Sequence, residues 1–335
     1  MGGKSSKPVK QWADSPFKII ETPLHKRGTR DISKESGALV AANVMALVHN
    51  CIIRALNCIY LQAPNVKNPV DVADFLKFMR GWSLVLHMHH ETEEDVAFPL
   101  LEEMIGLPGF MEKNVEQHKA FGPGMEEFDG YVKSCEQGKE TFDGVKVRQI
   151  IDGFGEILTQ HLTDEIDAYL ALEEYDSKIN WDEYTKKVAK KSVDEGDTNL
   201  EVPCFLTNME CGAEGGIHDK FWPPVPWYAL LVFRWWFIPK NKGAWRFSSC
   251  DSRGYPKDLP FSNMAPLPLL LIPRTLNFQP RHAPLAPKTI TILPPNNNNT
   301  NTPHFNELRS FILTSHSVIF KKKPSRVVDG FSIVR

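Results

Sequence analysis

His89-His90-Glu91-Thr92-Glu93-Glu94-Asp95-Val96-Ala97-Phe98-Pro99 is the stretch that decides the fold. His89 and Glu93 are four residues apart, so on a helix the imidazole and the carboxylate sit one above the other on one face. That face continues the apolar series Trp82, Leu86, then Val96 and Leu100, where an uncompensated charge is costly. The same pairing recurs at His161 and Glu165, after Phe154 and Leu158 and before Ala168 and Leu172. His49 lies among Met45, Val48 and Ile52, and His118 follows Met111 and Val115. Taken singly, any of these histidines reads as a hydrogen-bonded core residue. Six inward-facing ligand types at compatible depth read as a metal site instead.

The segments that carry them are helical by period. Apolar residues recur three and four apart from about Ser36 to Leu61, Val70 to Met104, Met111 to Cys135, and Val145 to Tyr175. Short connections rich in Pro, Gly and Asn separate them, so the spacing predicts an all-α, up-down four-helix bundle over residues 35–180. Pro99 is expected to kink the second helix late, and Gly122-Pro123-Gly124 to kink or break the third.

The second helix leaves its register open. His90 and Glu94 form another pair four apart, beside His87 and Glu91. The Trp82–Leu86 stripe favours His89 with Glu93, leaves His90 to add a ligand or an outer hydrogen bond, and puts His87 on the solvated face. Four imidazoles and two carboxylates suit iron or another first-row metal, with manganese or zinc a weaker fit. Calcium and magnesium would want mostly oxygen, and zinc a closed set of four donors, often with Cys.

Residues about 35–175 resemble the hemerythrin-like (HHE cation-binding) family. The matching text is Ala46-Leu-Val-His49-Asn50, His89-His-Glu-Thr-Glu-Glu-Asp-Val-Ala-Phe-Pro99, Glu116-Gln-His118 and His161-Leu-Thr-Asp-Glu165. The stretch through Gly243-Ala-Trp-Arg-Phe247 and Cys250-Asp251 is similar to the extension of fungal members. The resemblance implies an oxo- or hydroxo-bridged diiron centre held by His49, His89, Glu93, His118, His161 and Glu165, with the two glutamates bridging. Oxygen carriers of the family have a further histidine one turn after the third-helix ligand, where this chain has Gly122. The ligand count is therefore one short unless His90 or Glu91 supplies the missing donor. The departure resembles the iron- and oxygen-sensing branch, and implies a protein that binds dioxygen or another small diatomic ligand, or senses iron. A diiron enzyme acting on peroxide, nitric oxide or a small molecule is the alternative, and a zinc-binding or structural module the third. The sequence singles out no catalytic residue.

Charge is unevenly placed. Residues 1–34 hold eight Lys/Arg against three Asp/Glu, and residues 261–335 nine against two, which leaves 22 basic and 36 acidic residues for 35–260. An acidic body argues against nucleic acid as a partner. Six scattered cysteines without CxxC spacing, and a polar N-terminus, favour a reducing, cytoplasmic setting. No apolar run approaches the ~20 residues of a spanning helix, the nearest being Trp227–Ile238. Met1-Gly2-Gly3-Lys4-Ser5-Ser6 fits the N-myristoylation pattern, with Gly2 as acceptor and nearby lysines to add membrane contact. Residues 1–34 are expected to be irregular. Within the Trp/Pro-rich extension 181–260, residues 200–255 hold the tryptophans 222, 227, 235, 236 and 245 among prolines, read either as further core or as a membrane-contacting surface. Ten prolines and four consecutive asparagines predict disorder over 261–335.

Overall fold

The computed structural model describes residues 12–219, 221–223 and 227–262. The acylation expected at Gly2 and, from residue 263 on, the disorder expected of the tail lie outside the described residues.

A short helix, α1 (Pro23–Arg27), is capped by the Thr22 hydroxyl and ends at Gly28 in the left-handed region, φ 68°. The first long helix, α2 (Gly37–Gln62), starts where the Ser36 hydroxyl accepts from the Leu39 amide at 3.1 Å. Asn68 caps α3 (Pro69–Thr92), whose Pro69 occupies the first turn, where its missing amide proton costs nothing. A π-helical turn, Glu93–Ala97, joins it to α4 (Phe98–Ile105). Then follow α5 (Glu112–Glu136) and α6 (Gly144–Ala171), the latter capped by Asp143. Beyond a 3-10 stretch, Leu172–Lys178, come α7 (Trp181–Glu195), α8 (Glu201–Thr207), the tight turn α9 (Ala213–Gly216), α10 (Trp227–Val232) and α11 (Lys242–Trp245).

Helices α2, α3, α5 and α6 form the bundle: α2 packs on α6 and α3, and α5 packs on the same two. Trp82 lies at its centre. Its ring stacks on Phe154 at 6.2 Å and meets Phe128 edge-on at 5.1 Å, and its indole N–H donates to the Ile52 carbonyl at 3.1 Å. One fully buried side chain thus ties all four helices, with its polar atom satisfied.

Three expectations change. The late irregularity of the second helix is the π turn, one turn before Pro99, and Pro99 itself sits in the first turn of α4. Helix α5 runs unbroken through Gly122-Pro123-Gly124. Gly124 has a packing role, since a Cβ there would stand 2.6 Å from Phe154 Cβ, so the glycine lets α5 and α6 approach. Helix α2, extended to Asn65, is long and apolar enough to cross a membrane, contrary to the reading of short apolar runs. Asn43, His49, Asn50, Arg54 and Asn57 interrupt the run, yet its most apolar window still has a mean hydropathy of 1.7, and 83% of that window is buried inside the protein.

Those interruptions have a use. Asn43, Asn50 and Asn57 are spaced seven apart, two helical turns, and accept from the backbone amides of Leu24, Ile20 and Phe17 at 3.1, 2.7 and 3.0 Å. They lash the otherwise irregular N-terminal segment to α2. The connection into α6 is as tight. A Cβ on Gly144 would meet the Ala63 carbonyl oxygen at 1.8 Å, a backbone atom that cannot step aside. Gly144→Ala is expected to destabilise the fold by about 3 kcal/mol, read as a lower urea midpoint at unchanged slope; an unshifted midpoint would contradict this packing.

Residues 181–260 lean on the bundle, with α7, α8 and α11 all against α3. Trp245, Phe247 and Leu259 join the main core. Trp222, Ala229, Phe233 and Phe237 form a second cluster with Leu47, Cys51, Leu206 and Met209. The core reading holds for Trp222 and Trp245, which are buried, whereas Trp227, Trp235 and Trp236 are exposed. All six cysteines are free thiols.

Candidate metal centre

Each bundle helix delivers its ligand-type residues to one level of the core. His49 (α2), His161 and Glu165 (α6) and Glu93 (first residue of the π turn) are almost fully buried, and His90 and His118 nearly so. The i, i+4 geometry holds at both pairs: His89 Nε2 is 3.0 Å from Glu93 Oε1, and His161 Nε2 is 3.7 Å from Glu165 Oε2.

Two groups of donors result. His49, His89, Glu93 and Glu165 form one; His90, Glu93, His118 and His161 form the other, the donor atoms of each lying within 4.8 Å of one another. Glu93 belongs to both. In the first group the Nε2 atoms of His49 and His89 stand 2.8 Å apart, with Glu165 Oε2 at 3.4 Å from His49. In the second, the Nε2 atoms of His118 and His161 are 3.0 Å apart, with Glu93 Oε2 at 3.6 Å from His118. A spacing of ~3 Å is the edge of a coordination shell with bonds of ~2.1 Å.

The outer partners turn the right nitrogens inward. His49 Nδ1 faces the Leu162 carbonyl at 2.7 Å, which fixes it as the donor and leaves Nε2 a lone pair. His118 Nδ1 meets Glu94 Oε1 at 2.6 Å, and His161 Nδ1 meets Gln117 Oε1 at 3.4 Å. Glu94 is half exposed, so it serves as an outer partner. Glu91 is exposed and lies outside both groups. His87 is on the solvated face, 2.7 Å from Asp129.

Electrostatics shows that the residues fit a cation. Burial lowers every imidazole of the two groups, His161 to about 2 and His89 to about 3, so the rings are neutral and ready to ligate. Burial pushes the Glu165 carboxyl up to about 8; burial, then its neighbour Glu165, raises Glu93 well above the ordinary carboxylate range. Both oxygens of Glu93, both of Glu165 and Nε2 of His90 are buried without a hydrogen bond. Five unsatisfied buried polar atoms converging on one core would be a heavy liability in a purely structural bundle. A bound cation answers all of them.

The family model described as hemerythrin HHE cation-binding domain matches residues 40–172. Over 256 residues the chain is 36% identical to "Dimeric xanthone biosynthesis cluster protein R11" of Cryptosporiopsis sp. (strain 8999), covering 75% of this chain and 94% of that relative. The chain belongs to the hemerythrin HHE cation-binding family. No solved structure matches it.

Within this hemerythrin-type bundle, His90 is the residue the spacing alone left undecided. It is adjacent to His89, about 100° around the helix, so a single stripe cannot hold both. The rings of His90 and His118 are 4.2 Å apart, which places His90 where one group lacks a third imidazole because α5 has Gly122 one turn beyond His118. Gln117, the outer partner of His161, carried no signal beyond its place next to His118. Tyr169, one turn after Glu165, is buried with its hydroxyl 2.6 Å from that of Tyr184 on α7. The pair links α6 to α7 within electrostatic reach of Glu93 and Glu165, and helical spacing from Glu165 could have indicated its first member.

Proposed function

We propose that the protein is a non-haem diiron protein that binds or senses oxygen or iron through an open dinuclear site. The observation that carries this reading is the sharing of Glu93 between two adjacent donor groups, each with four protein donors. Four donors leave room for small ligands in the usual shell of a six-coordinate metal, whereas a structural zinc would be closed by four. Five neutral imidazoles with two carboxylates suit iron, which supplies reversible one-electron chemistry when bound.

The chain's own residues hold the ions, offset their charge and keep bulk water out. His49, His89 and Glu165 would hold one ion, and His90, His118 and His161 the other, with Glu93 between them. The two carboxylates neutralise part of the cationic charge as they lose their protons. Trp82, Phe121 and Leu162 belong to the surrounding apolar core, which lowers the local dielectric and limits the site to small ligands. The family's dioxygen binding, and a cytoplasmic setting, come to this chain as part of the proposal.

A second reading has one observation in its favour. The fungal relative is named for a biosynthesis cluster of dimeric xanthones, and a diiron oxidoreductase acting on a small molecule would suit such a setting. Anaerobic loading with ferrous iron followed by air separates the two. The proposal expects new near-ultraviolet and visible absorption that reverses on evacuation or on iron removal. Irreversible oxidation with turnover of peroxide would replace it with the enzyme. A colourless protein holding a single zinc would refute both.

A further inference from the structure

The outer face of α10 and the π turn that follows it, Phe233–Phe237, has no place in the metal chemistry. Ala229, Phe233 and Phe237, four apart, are buried in the second core cluster. A surface helix is ordinarily polar on the opposite side. Here that side carries Trp227 at 73% exposure, Leu231 at 41% and Trp235 at 76%, again four apart, with Trp236 beside them at 72%. Tyr255 is also exposed, at 62%. Arg234 sits in the same turn, and its guanidinium donates to the Ser252 carbonyl at 2.7 Å, so the tryptophans and the 252–255 loop are held together.

Charge says what such a face can meet. Residues 227–260 have six Lys/Arg and two Asp, inside a body that is otherwise strongly acidic. Arg246 is engaged by Asp71 and Asp74, and Lys257 donates to the Trp245 carbonyl. Lys240, Lys242 and Arg253 are exposed. The N-terminal segment is tied to the extension, where Trp12 donates its indole N–H to the Lys257 carbonyl at 3.0 Å. Lys4, Lys7 and Lys10 precede Trp12 in the sequence and add basic charge of the same sign. A second copy would bring like charge to like. The chain from 263 on, with nine Lys/Arg against two Asp/Glu, has the same sign.

We propose that the Trp227–Leu231–Trp235–Trp236 face, with Lys240, Lys242 and Arg253, docks the protein on an anionic lipid bilayer. Tryptophan rings belong at the headgroup level, where an apolar body meets water at a polar edge. Lysine and arginine near an anionic surface each add an attraction that salt screens. The acidic remainder of the body is repelled by the same surface, which sets the orientation. Nothing in this docking depends on which metal the bundle holds.

The test uses the full chain, unacylated, with phosphatidylcholine vesicles that do or do not contain about 30% phosphatidylserine. The protein is expected to float with the anionic vesicles alone, and its tryptophan fluorescence to be quenched by brominated lipid. Trp227→Ser/Trp235→Ser/Trp236→Ser should weaken binding at least about tenfold and abolish the quenching. Lys240→Glu and Arg253→Glu should each cost roughly fivefold or more. Because these side chains are exposed, far-ultraviolet dichroism and metal content should not change, and Trp235→Ser alone is the milder control. Failure of the wild type to bind, equal binding to neutral vesicles, or full binding by the triple variant overturns the proposal. So does a dimer, seen by light scattering, that the triple variant loses while neither protein binds vesicles.

Discussion

Glutamine in place of Glu93 is expected to empty both metal positions. Glu93 has oxygens directed at His89 and at His118, in different donor groups, and an amide has only one oxygen with which to serve two cations. The loss in affinity should exceed the ~10–100-fold typical when an outer partner of a ligand is removed, and should fall on both ions. Without metal the sign reverses. Glu93 is then a buried carboxyl without a hydrogen bond that burial must keep protonated, whereas the amide is neutral at every pH, so the apo variant should be as stable as the apo wild type near neutral pH and more so in mild alkali. Neighbouring variants separate the roles. His90→Ala should cost one ion and spare the other, since His90 belongs to one group. His161→Ala should lower metal content and apo stability together, because it opens a cavity and leaves the carboxylates in place. Metal analysis and thermal melts with and without chelator read all three. Full iron loading of Glu93→Gln, or of His161→Ala, would contradict the ligand assignment.

The apo protein should also be stable only within a narrow pH window. For the imidazoles the folded values are depressed, to about 3 for His89 and about 2 for His161, with His49, His90 and His118 also lowered by burial. The unfolded chain then binds more protons, so the stability they allow is present above ~6.5 and is lost as pH falls toward the folded values. Each contributes ~1.4 kcal/mol per pH unit there. Over the same range Glu93 and Glu165, raised by burial, oppose them, so the net slope is that of about three groups, roughly 4 kcal/mol per unit, and about two units below ~6.5 approach the whole stability of a domain. The apo bundle is therefore expected to unfold at about pH 4.5. Glu165 has the opposite sign. Its folded value is raised to about 8, so the folded state holds the proton more firmly, and stability declines as pH rises through about 8. Bound metal replaces these protons and should widen the window at both ends. Dichroism of chelated and iron-loaded protein from acid to mildly alkaline pH would show it. A flat apo profile across this range would refute the burial of the ligand set.

Much of this site was legible because a helix turns a sequence interval into a direction. Intervals of four at His89–Glu93 and His161–Glu165, each on an apolar stripe, were enough to place both pairs inward, and the structure brings them together with His49 and His118. What was illegible depends on contacts between elements. His90 leaves the stripe of its own helix, and only the second donor group gives it a partner direction. Gly124 reads in sequence as a helix breaker, and only the nearness of Phe154 on α6 shows it as a packing residue inside a continuous α5. The π turn at Glu93–Ala97 moves the irregularity away from the proline that announced it. Among the tryptophans, composition is identical for buried Trp245 and exposed Trp235; which side of a uniformly apolar helix meets the core is decided by the Leu47–Leu206 cluster, remote in sequence. The seven-residue ladder of Asn43, Asn50 and Asn57 was visible as spacing, but the segment it captures has no period of its own.

The most direct measurement of the central claim is iron K-edge absorption on anaerobically loaded protein, with the iron content of the same sample. Two donor groups sharing Glu93 predict about two irons per chain, imidazole scattering in both shells, and a short iron–iron vector that disappears in Glu93→Gln. One iron per chain with no such vector, or a vector that survives in Glu93→Gln, would contradict it.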